Sequence, residues 1–316
     1  MKMKNIKIAF VPFSVRCPQH ANTGSIRIRV KWPMKYIKDS FMALDPRDAE
    51  LADVVILQKV YGPMINHKVR YLKEIGKKII FDICDPDWLM PTQTASLDEM
   101  LEMADCITVP TCQMAELVRE RTKTPIEIIP DGMCLEYHNK FKTDHGSNVP
   151  PEIVWFGNRG TIKALKKYIP ELEEIYDKFN FKLKIISDSG EIETKIPWEF
   201  TEWKLDTVND EIMACDIAIN PKLDEIWDYP KSNNKTLTAW ACGLPCVEIW
   251  PGRIGFSTWK NYLLTLLEDP EMRENLGRLG RKDVEEKHDV QLSAKKMEGL
   301  CKKLTQKNAK INYHNH

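Results

Sequence analysis

Three short stretches carry residue types suited to holding a phosphate. Lys231, Ser232, Asn233, Asn234 and Lys235 form KSNNK. Gly157, Asn158, Arg159 and Gly160 lie in WFGNRGT, and Ser187, Asp188, Ser189 and Gly190 lie in ISDSGE. Small residues leave backbone N–H groups open, a helix N-terminus gathers such groups at the positive end of its dipole, and a lysine or arginine adds countercharge. Together the stretches suit a diphosphate. Singly, each is also the composition of an ordinary turn or cap.

A fourth stretch, FDICDPDWL, supplies Asp82, Asp85 and Asp87. A carboxylate such as Asp85 could deprotonate a hydroxyl or steady positive charge in a transition state, with Asp87 beside it. The Asp-Pro-Asp order also mimics a divalent-metal motif. We expect no metal, because Arg159 and Lys235 already provide countercharge. Pro86 also favours a plain capped turn. Nearer the start, NTGSIRIR offers Gly24, Ser25, Arg27 and Arg29, whose arginines either face a ligand or pair with surface acids. His20, beside this loop, is the one histidine of interest, and His288 reads as a surface residue. Trp203 stands where a flat ring could stack.

What must position these residues is legible in the hydrophobic pattern. Short Ile- and Val-rich runs alternate with helical stretches, the pattern of a parallel sheet with covering helices. In the first half the runs are IKIAFVP, ADVVILQ, KKIIFDI, DCITVP and IEIIP, with a helix around Met64 to Ile75. HNKFKTDHGSNVPPE, polar and without periodicity, reads as an interdomain linker. Then EIVWFG, FKLKIIS, CDIAINP and LPCVEI resume the alternation, with one helix through Leu165, Tyr168, Ile169, Leu172, Ile175 and Tyr176. A later helix opens at Asp269 with Pro270 in its first turn. The last carries Met297, Leu300, Cys301 and Leu304 on one face.

The expected fold class is therefore α/β, with two Rossmann-like doubly wound domains facing each other across a cleft. Residues 1–145 form the first domain and 146–316 the second, the last helix packing back on the first. Open sheets of this kind bind ligands beyond the carboxyl ends of their strands, where the loops above fall.

The chain's 316 residues suffice for two such cores, and 43% hydrophobic content suits a globular protein. Basic and acidic residues balance at 46 each, so no global charge draws in nucleic acid or an anionic membrane. The lysines of the last helix offer at most a weak membrane-surface contact; a solvated face is the simpler reading. Nine cysteines without zinc-site spacing read as reduced thiols of a cytoplasmic protein.

KSNNKTLTAWACGLPCV resembles the segment of GT-B nucleotide-sugar glycosyltransferases in which a helix ending Ala-x-Gly-x-Pro-Val lies under the donor. EIVWFG, ACDIAINP, TPIEIIPDGM and GSIRIRVKWP extend the resemblance, which runs from Lys7 to about Lys303 and is similar to the retaining family 4 enzymes. It implies transfer of a sugar from a nucleotide-diphosphate sugar, a co-substrate with no further cofactor, to a hydroxyl acceptor. Arg159 and Lys235 would hold the diphosphate, Ser232 to Asn234 would offer amides to its distal phosphate, and Gly157 would admit the backbone. Thr238 stands where these enzymes commonly carry a ribose-binding Glu. It cannot make the charged bidentate contact. Two alternatives remain open: transfer to a modified nucleic-acid base, and a non-catalytic nucleotide or sugar binder.

Overall fold

The computed structural model describes residues 5–13, 22–90, 94–223, 225–250 and 259–312, with side chains to 306 except at 225. The chain divides into two compact units, one of residues 1–134, 229–232 and 290–316, the other of 135–228 and 233–289.

The first unit is a six-stranded sheet built from β1 (Ile8–Pro12), β2 (Ser40–Met42), β3 (Val54–Gln58), β4 (Lys78–Asp82), β5 (Cys106–Val109) and β6 (Ile126–Ile128). Their order is β2-β1-β3-β4-β5-β6, every neighbour parallel. Strands buried on both faces need continuous apolar runs, which VVILQ and IAFVP provide. Val55, Leu57, Ile79 and Phe81 pack on one face with Leu72 and Met100. Phe10, Ile56 and Ile80 pack on the other with Met297, Leu300 and Cys301 of the last helix, Val290–Asn312. That helix is tied down where Ser293 Oγ donates to the Pro130 carbonyl at 2.7 Å. Its lysines are partly neutralised, Lys302 by Glu298 at 2.9 Å and Lys303 by Glu127 at 3.1 Å.

The second unit is a five-stranded parallel sheet of β7 (Glu152–Phe156), β8 (Lys182–Ser187), β9 (Trp198–Glu202), β10 (Ile217–Pro221) and β11 (Cys246–Ile249), in the order β11-β10-β7-β8-β9. The helix Pro270–Lys287 begins at Asp269, whose side chain accepts from the Met272 amide at 2.9 Å. The helix Asn234–Ala241 ends at Gly243, which takes φ +80°, a conformation that favours glycine.

Two expectations are corrected. The stretch through Leu165 and Tyr176 is two helices, Ile162–Lys167 and Ile169–Tyr176, because Pro170 lacks the N–H that a continuous helix needs. The polar segment read as a linker belongs to the second unit. The Lys142 amide donates to the Cys242 carbonyl at 2.8 Å, and Asn148 Nδ2 to the Ala214 carbonyl at 2.8 Å and Asp216 at 2.9 Å. Its polarity serves these bonds. Among the described residues no helix is long and apolar enough to cross a membrane, and the eight cysteines are free thiols.

Candidate active site

In the second unit the candidate residues gather at the carboxyl end of the sheet. Gly157 directly follows β7, and Lys235 lies in the first turn of the helix Asn234–Ala241. One ring joins them: Lys235 Nζ stands 5.0 Å from the centroid of the Trp155 ring. A Cβ at Gly157 would lie 2.8 Å from Trp155 Cζ2 and 2.6 Å from Thr161 Oγ1, so glycine is required there. The N-cap residue Asn233 makes no side-chain bond to its own helix. That end, without a side-chain cap from Asn233, places the positive end of the helix dipole beside the Lys235 ammonium. Thr238 Oγ1 donates back to the Asn234 carbonyl at 2.8 Å.

The loops after β7 and β8 meet through Arg159 and Asp188. Asp188 Oδ1 accepts from the Arg159 amide at 2.6 Å and Oδ2 from its Nε at 3.3 Å; Ser187 Oγ donates to Oδ1 at 3.2 Å. Burial would raise the Asp188 pKa, but these bonds outweigh it and hold the group below its ordinary value. The Arg159 side chain is 75% exposed, so an anion can compete for it. Asn158 closes its own turn by reciprocal bonds with Thr161, both 3.2 Å. Trp203 follows β9, half-buried against Phe156, Ile186 and Val208, its amide bonded to the Ser187 carbonyl at 2.9 Å.

Sequence reasoning missed a polar group under the same helix. Thr236 Oγ1 accepts from Asn220 Nδ2 at 3.1 Å and donates to Glu248 Oε1 at 2.6 Å, while Trp250 Nε1 donates to Glu248 Oε2 at 3.2 Å. Lys222, just past β10, is buried, 5.4 Å from the Trp250 centroid and 3.5 Å from Asn233 Oδ1. The lysine after INP at a strand's carboxyl end was the available signal.

The first unit holds a separate charged cluster. Arg29 is buried, its fork on Asp82, with further bonds to the Ile129 carbonyl at 2.5 Å and Asp131 at 2.9 Å. Thr108 donates to Asp82 at 2.6 Å, and Ser232 to Asp131. Ser232 is thus a residue of the first unit, and Asn233 and Asn234 of the second. Arg29 fits neither option the sequence offered: its partners are acids, but buried ones rather than surface ones. Burial would lower its pKa, but Asp82 and Asp131 outweigh that and hold it above the ordinary value.

Asp85 carries a lysine on each oxygen, Lys59 at 2.6 Å and Lys231 at 3.3 Å. Burial would raise its pKa; the two ammonium groups win and hold it below the usual carboxylate range. Asp87, beside it, accepts from Tyr61 at 3.3 Å and pairs with Lys59 at 3.1 Å, and burial lifts its pKa. Arg27 bonds the Asn22 carbonyl at 2.6 Å and lies 5.8 Å from the Trp32 ring centroid. Gly24 is exposed, with Ser25 next to it half-buried. Among the described residues no group of three or more His, Cys, Asp or Glu side chains is placed to hold a metal ion. His20 lies outside the described residues.

This architecture occurs in solved proteins. HepE of Anabaena in complex with UDP matches with a TM-score of 0.68 at 11% identity, over 94% of this chain and 100% of that one. An alpha-glucosyltransferase in complex with UDP matches at 0.64 and 12%, over 94% and 100%. The fold is GT-B. A trehalose 6-phosphate synthase from Burkholderia multivorans shares it at 0.59 and 10% identity, over 83% and 76%. No family model and no curated protein matches the sequence. At these identities the likeness is one of fold, and the GT-B chain described here must be read for function from its own residues.

Proposed function

We propose that this GT-B chain is a glycosyltransferase that moves a sugar from a nucleoside-diphosphate sugar to a hydroxyl group. The observation that carries the reading is the carboxyl end of the second sheet. There the Lys235 ammonium and the uncapped head of its helix stand beside the glycine exit of β7. A diphosphate leaving group gains negative charge as its bond to the sugar breaks. Fixed N–H groups and cations stabilise that charge with no metal required. Arg159 adds an exposed guanidinium after the same strand, and Trp203 a ring after β9.

The complexes with UDP among proteins of this fold support a uridine nucleotide as the first donor to try. The donor hexose and retention at the anomeric carbon follow only from the sequence resemblance. Asp85, read from the sequence as a base or a stabiliser of positive charge, is closed by two lysines and is better suited to fixed countercharge than to taking a proton. A second reading is transfer to a modified nucleic-acid base. It is supported by an alpha-glucosyltransferase of this fold in complex with UDP and a 13-mer DNA containing an HMU base, with a TM-score of 0.62. Balanced charge weighs against it.

The test is thermal unfolding of the chain with a panel of nucleoside diphosphates and their sugars. A ligand at a hundred times its Kd stabilises by about 2.7 kcal/mol. One nucleotide class should raise Tm; a panel with no effect would remove the proposal. Salt-dependent retention on DNA would favour the second reading.

A further inference from the structure

Trp155 lies in the central strand of the second sheet and is fully buried, yet among the described residues its indole Nε1 has no hydrogen-bond partner. An unpaired buried donor costs stability that phenylalanine, smaller but wholly apolar, would not incur. What tryptophan adds is the ring face that attracts a cation most strongly. Lys235 Nζ occupies that face at 5.0 Å from the centroid, and Gly157 meets the ring's edge so closely that no side chain fits there. The ring is thus fixed by its own strand and its exit turn, whereas a lysine has four flexible carbons and loses much rotamer freedom when it binds a ligand.

We propose that Trp155 is a positioning residue for the donor site: its ring face holds the Lys235 ammonium at the carboxyl end of β7, in place for a nucleoside diphosphate before the ligand arrives. The inference rests on the reading that Lys235 binds the diphosphate. Preorganisation of this kind strengthens binding without adding a contact to the ligand.

The experiment is calorimetric titration of UDP into the full chain, with Trp155 replaced site-specifically by mono-, di- and trifluorinated tryptophan. Fluorine withdraws density from the ring face while leaving its size and N–H in place, and thermal unfolding checks that each protein is folded. The UDP Kd should rise stepwise, by about three-fold to ten-fold at the end of the series. In a Lys235→Met background the same series should have no effect, because the two groups act as one unit. If Lys235→Met weakens UDP binding but fluorination leaves it unchanged or tightens it, the role of Trp155 is overturned. Unaltered UDP binding in Lys235→Met alone would instead overturn the diphosphate reading.

Discussion

The Asp85 carboxylate meets Lys59 at 2.6 Å on one oxygen while Lys231 approaches the other at 3.3 Å. Two cations on one largely buried acid make it a structural counter-ion of the first unit. Asp85→Asn should lower stability by about 1.5–3 kcal/mol at pH 7, the worth of hydrogen bonds to charged groups. Because its folded pKa is depressed, that stability is present above the ordinary carboxylate value of 3.8 and lost as pH falls below it. Urea titrations at pH 7 and pH 3 should show the gap to wild type closing at the lower pH; a gap of equal size at both would refute the ion pairs.

Removing Arg29 should be more damaging. Arg29→Ala leaves Asp82 and Asp131 buried without their shared cation. Breaking such a pair costs about 3–5 kcal/mol. Denaturation should report a loss of that size; a change below about 1 kcal/mol would mean the acids find water instead.

His145 gives the second unit a pH response. Burial, with Lys142 and Arg273 nearby, holds its pKa below 6.5, although Asp216 pulls the other way. The folded form therefore takes its proton later than the unfolded form as pH falls, so stability present above pH 6.5 is lost below it. His145→Gln should flatten the stability curve across this window, as measured by chemical denaturation, relative to the slope of wild type.

The two cations of the proposed donor site should differ in weight. Lys235 is held on Trp155, whereas Arg159 is 75% exposed and already shared with Asp188. Lys235→Met should weaken UDP binding by roughly ten-fold to a hundred-fold, the range for a charge-assisted contact. Arg159→Ala should cost less than about ten-fold, as its exposed charge is screened. Calorimetry on both variants decides, and a larger loss at Arg159 would reverse the assignment.

Legibility in the sequence followed burial. Nine strands announce themselves because their runs are apolar, but β2 and β9 do not, and both are edge strands. WEFTE is largely exposed, so it lacks the continuous run that a central strand needs. The burial of Arg29 was hidden for another reason: a wide helical turn at Arg27–Lys31 buries Ile28, Arg29 and Val30 in succession, which no α-helical period foresees. The loops at 157–160 and 187–190 were legible as strand exits. Which partners they choose was not, because Asn158 with Thr161 and Arg159 with Asp188 are contacts of folded geometry. Trp155 reads as one more core residue until the lysine above it is seen.

Release of nucleoside diphosphate from a panel of UDP-, GDP- and ADP-sugars, measured without added acceptor, addresses sugar transfer most directly, since enzymes of this chemistry leak sugar to water. One donor should be hydrolysed slowly by wild type, and Lys235→Met, still folded, should lose that release by roughly ten-fold or more. A folded wild-type chain that releases nucleotide from none of the donors, and binds none of them, would contradict it.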